Sequence, residues 1–254
     1  PTALLSTHTG GIAGYTYRDL SDDMPAIINH WKSLHLKFDA IYTGFLGSAK
    51  QLDIVSEMFD LFAAQGQIII VDPVMADNGM LYDNFPDTFP QEMRTLCQKA
   101  DIILPNITEA ALLLGEPYRK GPYTQSYIEQ MLKRLAALGP KQIVMTGVRF
   151  NEKTIGAASY DTASEQVDYA FSELIEGYYP GTGDVFGSVL VGSLLNGCEL
   201  PQAVRNAVDF TAASIARTQK AGTDRRFGVQ FEAELPNLIR RLGLGQTEIP
   251  SGKT

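Results

Sequence analysis

A glycine-rich segment leads into an unusually apolar helical stretch and ends in an acidic residue. It reads Pro180-Gly181-Thr182-Gly183-Asp184. Two glycines let the backbone fold tightly, so that consecutive N–H groups at the helix start converge on one point, which is a ready site for an anion. We infer that these N–H groups stabilise a transferring phosphoryl group while Asp184 deprotonates the attacking hydroxyl. The alternative is plain helix capping, since an Asp in a first helical turn is favourable without any catalysis.

Further acidic residues follow two predicted strands. Asp72, with Asp77 nearby, ends one apolar run, and Glu109 follows the next run together with Asn106. Carboxylates at strand ends suit a hard cation such as Mg²⁺, which keeps several waters and bridges to phosphates. Asn106 is able to hydrogen-bond a phosphate or a metal-bound water. A structural explanation also exists, because Asp72 ends a strand before Pro73, and Asn with Glu three residues later is a variant of the capping box.

Alternating strands and helices must position these residues. Near-continuous apolar runs are typical of strands buried on both faces of a parallel sheet. Five such runs are Thr2–Ser6, Phe38–Tyr42, Gln67–Val71, Ile102–Leu104 and Gln142–Met145. Helical periodicity lies between them in Ser48–Gln65, where Gly66 is the expected stop, and in Thr124–Leu138. The alternation predicts a doubly wound α/β domain, in which ligands gather at the carboxyl ends of the strands.

The last part of the chain has other patterns. Lys153–Tyr160 and Gln166–Phe171 alternate like an antiparallel hairpin with Asp161–Ser164 as its turn. Three helical segments follow, at Thr182–Asn196, at Pro201–Thr218 and near Phe231–Leu242. No internal repeat or linker is visible, so residues 1–254 are predicted to form a single domain.

Composition excludes several classes of partner. The 254 residues include 21 Lys and Arg against 29 Asp and Glu, a net charge of −8, which disfavours nucleic acid and anionic membranes as partners. The hydrophobic fraction of 44% supports a full core rather than disorder. Cys97 and Cys198 are far apart, so no disulfide framework is expected, and the compartment is predicted to be the cytoplasm. No apolar run reaches about 18 residues, so no membrane span is expected.

In their order and spacing the motifs resemble the ribokinase-like superfamily and, within it, the pyridoxal kinase family. The resemblance rests on Gly-Thr-Gly-Asp at 181–184, Asp-Pro-Val-Met at 72–75 and Pro-Asn-x-x-Glu at 105–109. Further matches are Thr7-His8-Thr9-Gly10, Tyr42-Thr43-Gly44-Phe45 and the stretch Tyr15–Leu20. Each short motif is weakly specific, but their order from about residue 1 to residue 220 is quite specific.

The resemblance implies a fold and a reaction. The expected fold is a ribokinase-like three-layer sandwich, with a mostly parallel central sheet flanked by helices. The expected reaction is transfer of the γ-phosphoryl group of ATP, with Mg²⁺, to the 5′-hydroxymethyl group of pyridoxal, pyridoxine or pyridoxamine. In this family positioning and electrostatics supply most of the rate. A homodimer is also implied by the resemblance.

The resemblance also implies roles for individual residues. Asp184 would be the base and would contact the substrate, with an anion hole formed by Gly181, Thr182 and Gly183. Asp72 and Glu109 would act on the Mg–ATP side, Glu109 through water, with Asn106 and Thr146 on the phosphate and nucleotide side. Thr9, Gly10 and Phe45 would contact the substrate ring, and Asp77 is a weaker candidate in a loop near the active site.

Some features depart from the family pattern. Family members begin with a strand that carries a small polar residue and with a long helix, whereas this chain starts at Pro1, so we expect an upstream segment. Leu104 stands where relatives often have a hydroxyl residue or Ala, which leaves help from a monovalent cation open. No lysine is assignable to the phosphates. Arg225 and Arg226 have two interpretations, a contact with nucleotide phosphate or an exposed loop charge.

Other functions share parts of the pattern. Hydroxymethylpyrimidine (phosphate) kinases share Asp-Pro-Val-Met but usually have Cys where Asp184 stands, and sugar kinases of the superfamily rank third. Nucleotide-dependent hydrate dehydratases share a Gly-x-Gly-Asp helix start on a similar fold. A non-catalytic relative that binds pyridoxal phosphate is the alternative outside enzymes. The presence of Asp184, Asp72 and Glu109 together argues against it, because a carrier does not need the base.

Overall fold

The computed structural model describes residues 1–7, 12–62 and 67–244. Its chain divides into two compact units, Pro1–Leu174 and Ile175–Thr254, called the first and the second unit below. A single kinase domain over residues 1–254 stays a prediction.

The first unit holds all ten strands of the described chain and five helices. The strands are β1 Ala3–Leu5, β2 Tyr17–Asp19, β3 Ala40–Thr43, β4 Ile68–Val71, β5 Ala76–Asp77, β6 Met80–Leu81, β7 Ile102–Ile103, β8 Gln142–Val148, β9 Thr154–Asp161 and β10 Gln166–Glu173. The helices are α1 Met24–Ser33, α2 Ala49–Phe62, α3 Phe89–Cys97, α4 Ile107–Leu114 and α5 Gln125–Ala136.

A six-stranded mixed sheet is the centre of this unit. Its strand order is β10-β9-β8-β7-β4-β3. The neighbours among β3, β4, β7 and β8 are parallel, whereas β9 pairs antiparallel with both β8 and β10. Helices flank the sheet, so the predicted α/β class with a mostly parallel sheet is confirmed. The predicted hairpin and four of the five predicted apolar strands are present in this sheet, with shifted ends.

One predicted strand has a different partner. Thr2–Ser6 was expected in the parallel sheet, and this is wrong, because β1 pairs antiparallel with β2 in a separate two-stranded sheet. Leu4 and Leu5 are 57% and 43% exposed, so the run is not buried on both faces. A short apolar run fixes the strand conformation but not its partner. The polar strand β2 gave no apolar signal from which to predict that pairing.

The predicted helix faces form the core of the first unit. Leu52, Val55 and Phe59 of α2 are buried, as the spacing of apolar residues predicts. Ile128 and Leu135 of α5 are buried in the same cluster, which also contains residues of β4, β7 and β8. Apolar residues three and four apart fall on one side of a helix, and their burial against the sheet stabilises the fold. The expected stop of α2 at Gly66 lies outside the described residues.

The second unit is helical throughout its described part. It contains α6 Thr182–Leu195, α7 Leu200–Ala221 and α8 Leu235–Arg241, with short 3₁₀ helices at Arg225–Phe227 and Glu232–Glu234. A hydrogen bond of 3.3 Å from Asn206 Nδ2 to Ser193 Oγ joins α7 to α6. Across the described ranges no helix combines the length and the apolar character that a membrane crossing needs.

Gly156 limits what the hairpin of the first unit can accept. It lies in β9, and a Cβ at this position would stand 1.8 Å from the carbonyl oxygen of Ala170 in β10. Gly156→Ala is therefore expected to lower the free energy of unfolding by about 2 kcal/mol or more, because the clash is with backbone. Urea unfolding followed by circular dichroism measures this change.

Gly192 provides the matched control in a helix. A Cβ at Gly192 meets no atom within 4 Å. Gly192→Ala is expected to raise the free energy of unfolding by up to about 1 kcal/mol through helix propensity. Equal effects of the two substitutions would contradict the steric explanation for Gly156.

Candidate active site

Two buried carboxylates lie at the carboxyl ends of neighbouring parallel strands in the first unit. Asp72 follows β4 directly, and its N–H donates to the carbonyl of Thr43 at 2.9 Å. Glu109 lies in the first turn of α4, which starts shortly after β7. The two residues are 7% and 3% exposed. The sheet therefore brings both to the edge where the sequence predicts the site.

Asn106 and Glu109 form the capping box that the sequence predicts, but this does not account for all their contacts. Asn106 Oδ1 accepts from the N–H of Glu109 at 3.0 Å, and Glu109 Oε2 accepts from the N–H of Asn106 at 2.8 Å. The same side chains also reach beyond their own helix. Glu109 Oε1 accepts from the N–H of Met75 at 3.1 Å, and Asn106 Nδ2 donates to the carbonyl of Ala76 at 2.8 Å. The capping box thus also fixes the loop that follows Asp72.

Burial and charge act on Glu109 in the same direction. Burial raises the pKa of Glu109 well above its usual range, and the negative charge of Asp72 raises it further. Backbone N–H groups, including that of Met75, offset only part of this effect. The pKa of the buried Cys97 thiol is also raised, chiefly by burial and then by the charges of Glu109 and Asp72. These shifts reveal a concentration of negative charge that a bound cation would relieve.

The donor set fits Mg²⁺ that arrives together with phosphates. Both oxygens of Glu109 already accept backbone N–H groups, so a metal would reach this residue through water, and Asp72 would be the better direct ligand. Within residues 1–7, 12–62 and 67–244, no group of three or more His, Cys, Asp or Glu side chains is placed to hold a metal. Mg²⁺ commonly uses one or two carboxylates and completes its shell with water and substrate phosphates. The acidic pair meets that requirement.

Tyr42 and Thr146 border the acidic pair and its cap. Tyr42 of β3 donates its hydroxyl to Asp72 Oδ2 at 3.2 Å. Tyr42 belongs to one of the matched motifs, but its role was not predicted. The sequence around Tyr42 does not indicate which neighbouring strand its hydroxyl contacts. Thr146 lies in β8, forms a parallel bridge with Asn106, and donates its N–H to the carbonyl of Pro105 at 3.0 Å. The predicted neighbourhood of Thr146 and Asn106 is therefore present.

Asp77 has local partners. It lies in β5, and its Oδ1 accepts from the N–H of Asn78 at 2.8 Å. Its Oδ2 accepts from the side-chain amide of the same residue at 2.9 Å. These contacts are those of a turn between β5 and β6, so they explain Asp77 without a ligand.

The predicted ring contacts are described only in part. Phe45 packs against Phe85 with ring centroids 5.8 Å apart, and Phe85 stacks on Phe89 at 4.0 Å. Phe45 and Thr43 also line a cavity of about 570 Å³, together with apolar side chains of α1. Thr9 and Gly10 lie outside the described residues.

The glycine segment forms the start of α6 in the second unit. Gly181 is the residue before the helix, and its φ of 80° is in the left-handed region, which favours glycine. Thr182 donates its hydroxyl to the carbonyl of Tyr179 at 3.0 Å, which fixes the turn. A Cβ built on Gly181 or on Gly183 meets no atom within 4 Å. The space beside both glycines is therefore open, and the first N–H groups of α6 have no acceptor within the helix, as an anion site requires.

Asp184 is exposed in the first turn of α6. Its carbonyl accepts from Ser188 Oγ at 2.7 Å, one helical turn later. A carboxylate in a first helical turn is chemically able to accept a proton, which is the role that the resemblance implies for Asp184.

Comparison with known proteins decides the family. Residues 23–228 match the family described as "Phosphomethylpyrimidine kinase". The chain belongs to this family. One similar protein is a putative phosphomethylpyrimidine kinase from Bacteroides thetaiotaomicron, whose crystal structure was solved in a form with pyridoxal. Its sequence is 41% identical to this chain, and the two structures superpose with a TM-score of 0.88. The match covers 94% of this chain and 83% of that one. Pyridoxal kinase from Lactobacillus plantarum is 35% identical with a TM-score of 0.84, covering 94% and 84%. The fold is therefore that of the pyridoxal kinase and ribokinase-like group.

Curated relatives carry both names. A hydroxymethylpyrimidine/phosphomethylpyrimidine kinase of Staphylococcus aureus is 29% identical over 193 residues, which are 73% of this chain and 66% of the relative. A pyridoxal kinase of Dictyostelium discoideum is 26% identical over 177 residues, 65% of this chain and 55% of the relative. The chain thus spans two thirds or less of the length of these relatives. The resemblance to the pyridoxal kinase family is confirmed, while the two substrates are not distinguished.

The raised pKa of Glu109 predicts a pH dependence of stability. A carboxyl whose pKa is higher in the folded than in the unfolded state loses stability as the pH rises from its usual value of 4.5 toward the raised value. Without Mg²⁺, we expect wild-type stability to fall as the pH rises above the usual carboxyl value, and Glu109→Gln to make that fall shallower. The amide would also face a backbone N–H group, so stability at about pH 5 should drop by about 1–3 kcal/mol.

Denaturant unfolding at several pH values measures both effects. Glu116→Gln is the matched control, because the partly buried Glu116 follows the same helix and pairs with Arg134 at 2.5 Å. An unchanged pH slope in Glu109→Gln would contradict the assignment of the charge to this site.

Proposed function

We propose that this chain is an ATP-dependent kinase that phosphorylates the 5′-hydroxymethyl group of a pyridoxal-type vitamer. The observation that carries the proposal is the open helix start at Gly181–Gly183 with Asp184 in the same first turn. An anion site beside a carboxylate suits transfer of a phosphoryl group to an alcohol. The 41% identical protein from Bacteroides thetaiotaomicron, crystallised with pyridoxal, supports a vitamer as the substrate.

The helix start supplies the electrostatic part of the mechanism. Its N–H groups have no carbonyl partner inside the helix, and they are held in place before any substrate binds. Charge that develops on the equatorial oxygens of the transferring phosphoryl group would be stabilised by these fixed dipoles. The left-handed Gly181 and the hydroxyl bond of Thr182 hold the turn, so little reorganisation is required.

Asp184 is the proposed base. As the hydroxymethyl oxygen bonds to phosphorus, its proton passes to the carboxylate, and the bond from the γ-phosphorus to the bridging oxygen of the nucleotide breaks. ADP leaves with that electron pair. The base acts late in such loose transition states, so its contribution is expected in the range of about 10²–10⁴.

Asp72 and Glu109 are the proposed residues on the metal–nucleotide side. Mg²⁺ supplies neutralisation of the phosphate charge when it is bound. Asp72 would hold it directly, and Glu109 through water, since its oxygens already accept N–H groups. Asn106 and Thr146 line the phosphate and nucleotide side in this proposal. Phe45, Thr9 and Gly10 are the proposed contacts of the substrate ring.

Hydroxymethylpyrimidine (phosphate) kinase activity is the second candidate. It is favoured by the family description and by the Staphylococcus aureus relative at 29% identity. Asp184 weighs against it, because those enzymes usually have Cys at this position. A homodimer and a cytoplasmic location remain predictions from the resemblance.

Parallel assays of ATP consumption test the proposal. Wild-type protein with Mg²⁺ and either pyridoxal, pyridoxine, pyridoxamine or hydroxymethylpyrimidine should turn over a vitamer fastest. Asp184→Asn should reduce kcat by about two orders of magnitude or more while the dissociation constant of MgADP stays near the wild-type value.

Glu199→Gln is the matched control for the base. Glu199 is an acidic residue at the start of another helix of the second unit, α7. It occupies the N-cap position, but its side chain forms no capping hydrogen bond. Its kcat should equal the wild-type value. Wild-type turnover by Asp184→Asn would exclude Asp184 as the base, and turnover of the pyrimidine alone would establish the second candidate. Vitamer binding without any ATP consumption would indicate a non-catalytic relative.

The anion site has a second test in a pair of glycines on α6. Gly183→Val should reduce kcat by about tenfold or more, because a branched side chain at the helix start crowds the phosphoryl group. The fold should persist, since a Cβ at Gly183 meets no atom within 4 Å. Gly192→Val provides the control, because that site on the same helix is equally open. Equal kcat values in the two variants, measured beside their melting temperatures, would argue against the anion site.

A further inference from the structure

The charge of the chain leaves a problem for a nucleotide kinase. The net charge is −8, and the helix start at Gly181–Gly183 offers only partial charges to a triphosphate. Within the second unit, a loop that ends in the 3₁₀ helix Arg225–Phe227 lies against the segment that precedes this helix start. We propose that Arg225 contacts the phosphates of the nucleotide, and that Tyr179 and Gly177 position it for this contact. The inference rests on the proposed function.

The ring of Tyr179 holds the Arg225 side chain. The guanidinium carbon lies 4.8 Å from the centroid of this ring, a cation–π contact. Tyr179 itself is only 7% exposed, so its ring is a fixed surface, whereas Arg225 is exposed. A guanidinium that stacks on a fixed ring loses less freedom when it binds an anion with its edge.

Gly177 makes room for this arginine. Its φ is 136°, and a Cβ at this position would lie 2.3 Å from Arg225 Nη1. A side chain at 177 would therefore shift the end of the arginine side chain, and the left-handed backbone itself favours glycine.

Two features of the backbone relate the loop of Arg225 to the glycine segment. The carbonyl of Tyr179, whose ring carries the guanidinium, accepts the hydroxyl of Thr182 at 3.0 Å. The loop then turns at Gly228, whose φ is 87° and whose Cβ would lie 3.7 Å from the carbonyl oxygen of Pro180. The arginine and the glycine segment are thus anchored on the same stretch of backbone.

The neighbouring arginine has a different environment. Arg226 pairs with Asp224, with 2.6 Å between Nη2 and Oδ2 and a second bond of 3.0 Å from Nε to Oδ1. This bidentate contact already compensates its charge. Arg225 forms no ion pair with a carboxylate of the described chain. The guanidinium of Arg225 therefore keeps N–H donors for phosphate oxygens. Arg226, one residue away, provides a matched control.

Isothermal titration with MgADP and with adenosine tests the assignment without relying on turnover. Arg225→Gln should raise the dissociation constant of MgADP about tenfold or more and leave that of adenosine unchanged, because only phosphate contacts are lost. Arg226→Gln should bind both ligands like the wild type. Arg225→Lys should recover part of the loss, since it restores the charge but not the fork.

A second set of variants tests whether Tyr179 and Gly177 position Arg225. Tyr179→Phe keeps the ring and should bind MgADP like the wild type. Gly177→Ala should weaken MgADP binding by no more than Arg225→Gln does, and the double variant should be no weaker than Arg225→Gln. Melting temperatures close to the wild-type value establish that the arginine variants are folded.

The outcomes separate the inference from the proposed function. Wild-type affinity for MgADP in Arg225→Gln, or equal losses in Arg225→Gln and Arg226→Gln, would overturn the phosphate contact and leave the kinase proposal standing. A wild-type protein that binds neither MgADP nor adenosine would overturn both.

Discussion

The carboxylate of Glu109 is the interaction on which the site of the first unit depends. It lies buried at the start of α4, and its two oxygens accept N–H groups from Asn106 and from Met75. The bond from the N–H of Asn106 caps the start of α4. The bond from the N–H of Met75 connects the loop after Asp72 to that helix. A buried polar group is costly unless it is hydrogen-bonded, and here the bonds that satisfy Glu109 also fix the backbone around the second carboxylate. Helix capping and the geometry of the site are therefore one structural solution.

The same arrangement concentrates negative charge where a phosphate-transfer enzyme must bind an anion. In the proposed function, Asp72 and Glu109 would repel a bare triphosphate, so a cation would be needed beside them. The helix start of the second unit differs from this acidic pair in its charge, because it offers N–H dipoles and has open space beside its glycines. A kinase needs both, since the metal neutralises the nucleotide and fixed donors stabilise the group in transfer. An acidic chain meets these needs with few basic residues.

Local patterns in the sequence carry some of these features and not others. The apolar faces of α2 and α5, the parallel strands and the Asn106–Glu109 cap follow from short-range spacing, and all are present. The partner of β1 depends on a polar strand without a pattern of its own, so the sequence could not give it. Tyr42 and Tyr179 act through residues 30 and more positions away in the chain. Such contacts are set by the tertiary fold, and residue type alone does not reveal them.

The close approach of Arg225 to Gly177 has a consequence for how such a chain is able to change. A Cβ at position 177 would lie 2.3 Å from the end of the Arg225 side chain, so the guanidinium would have to move in this arrangement. Replacement of Gly177 first would disturb the arginine, whereas loss of the arginine first would remove the steric objection to a side chain there, leaving only the backbone preference for glycine. The two positions are therefore expected to covary among related sequences, with the arginine found where the glycine is kept.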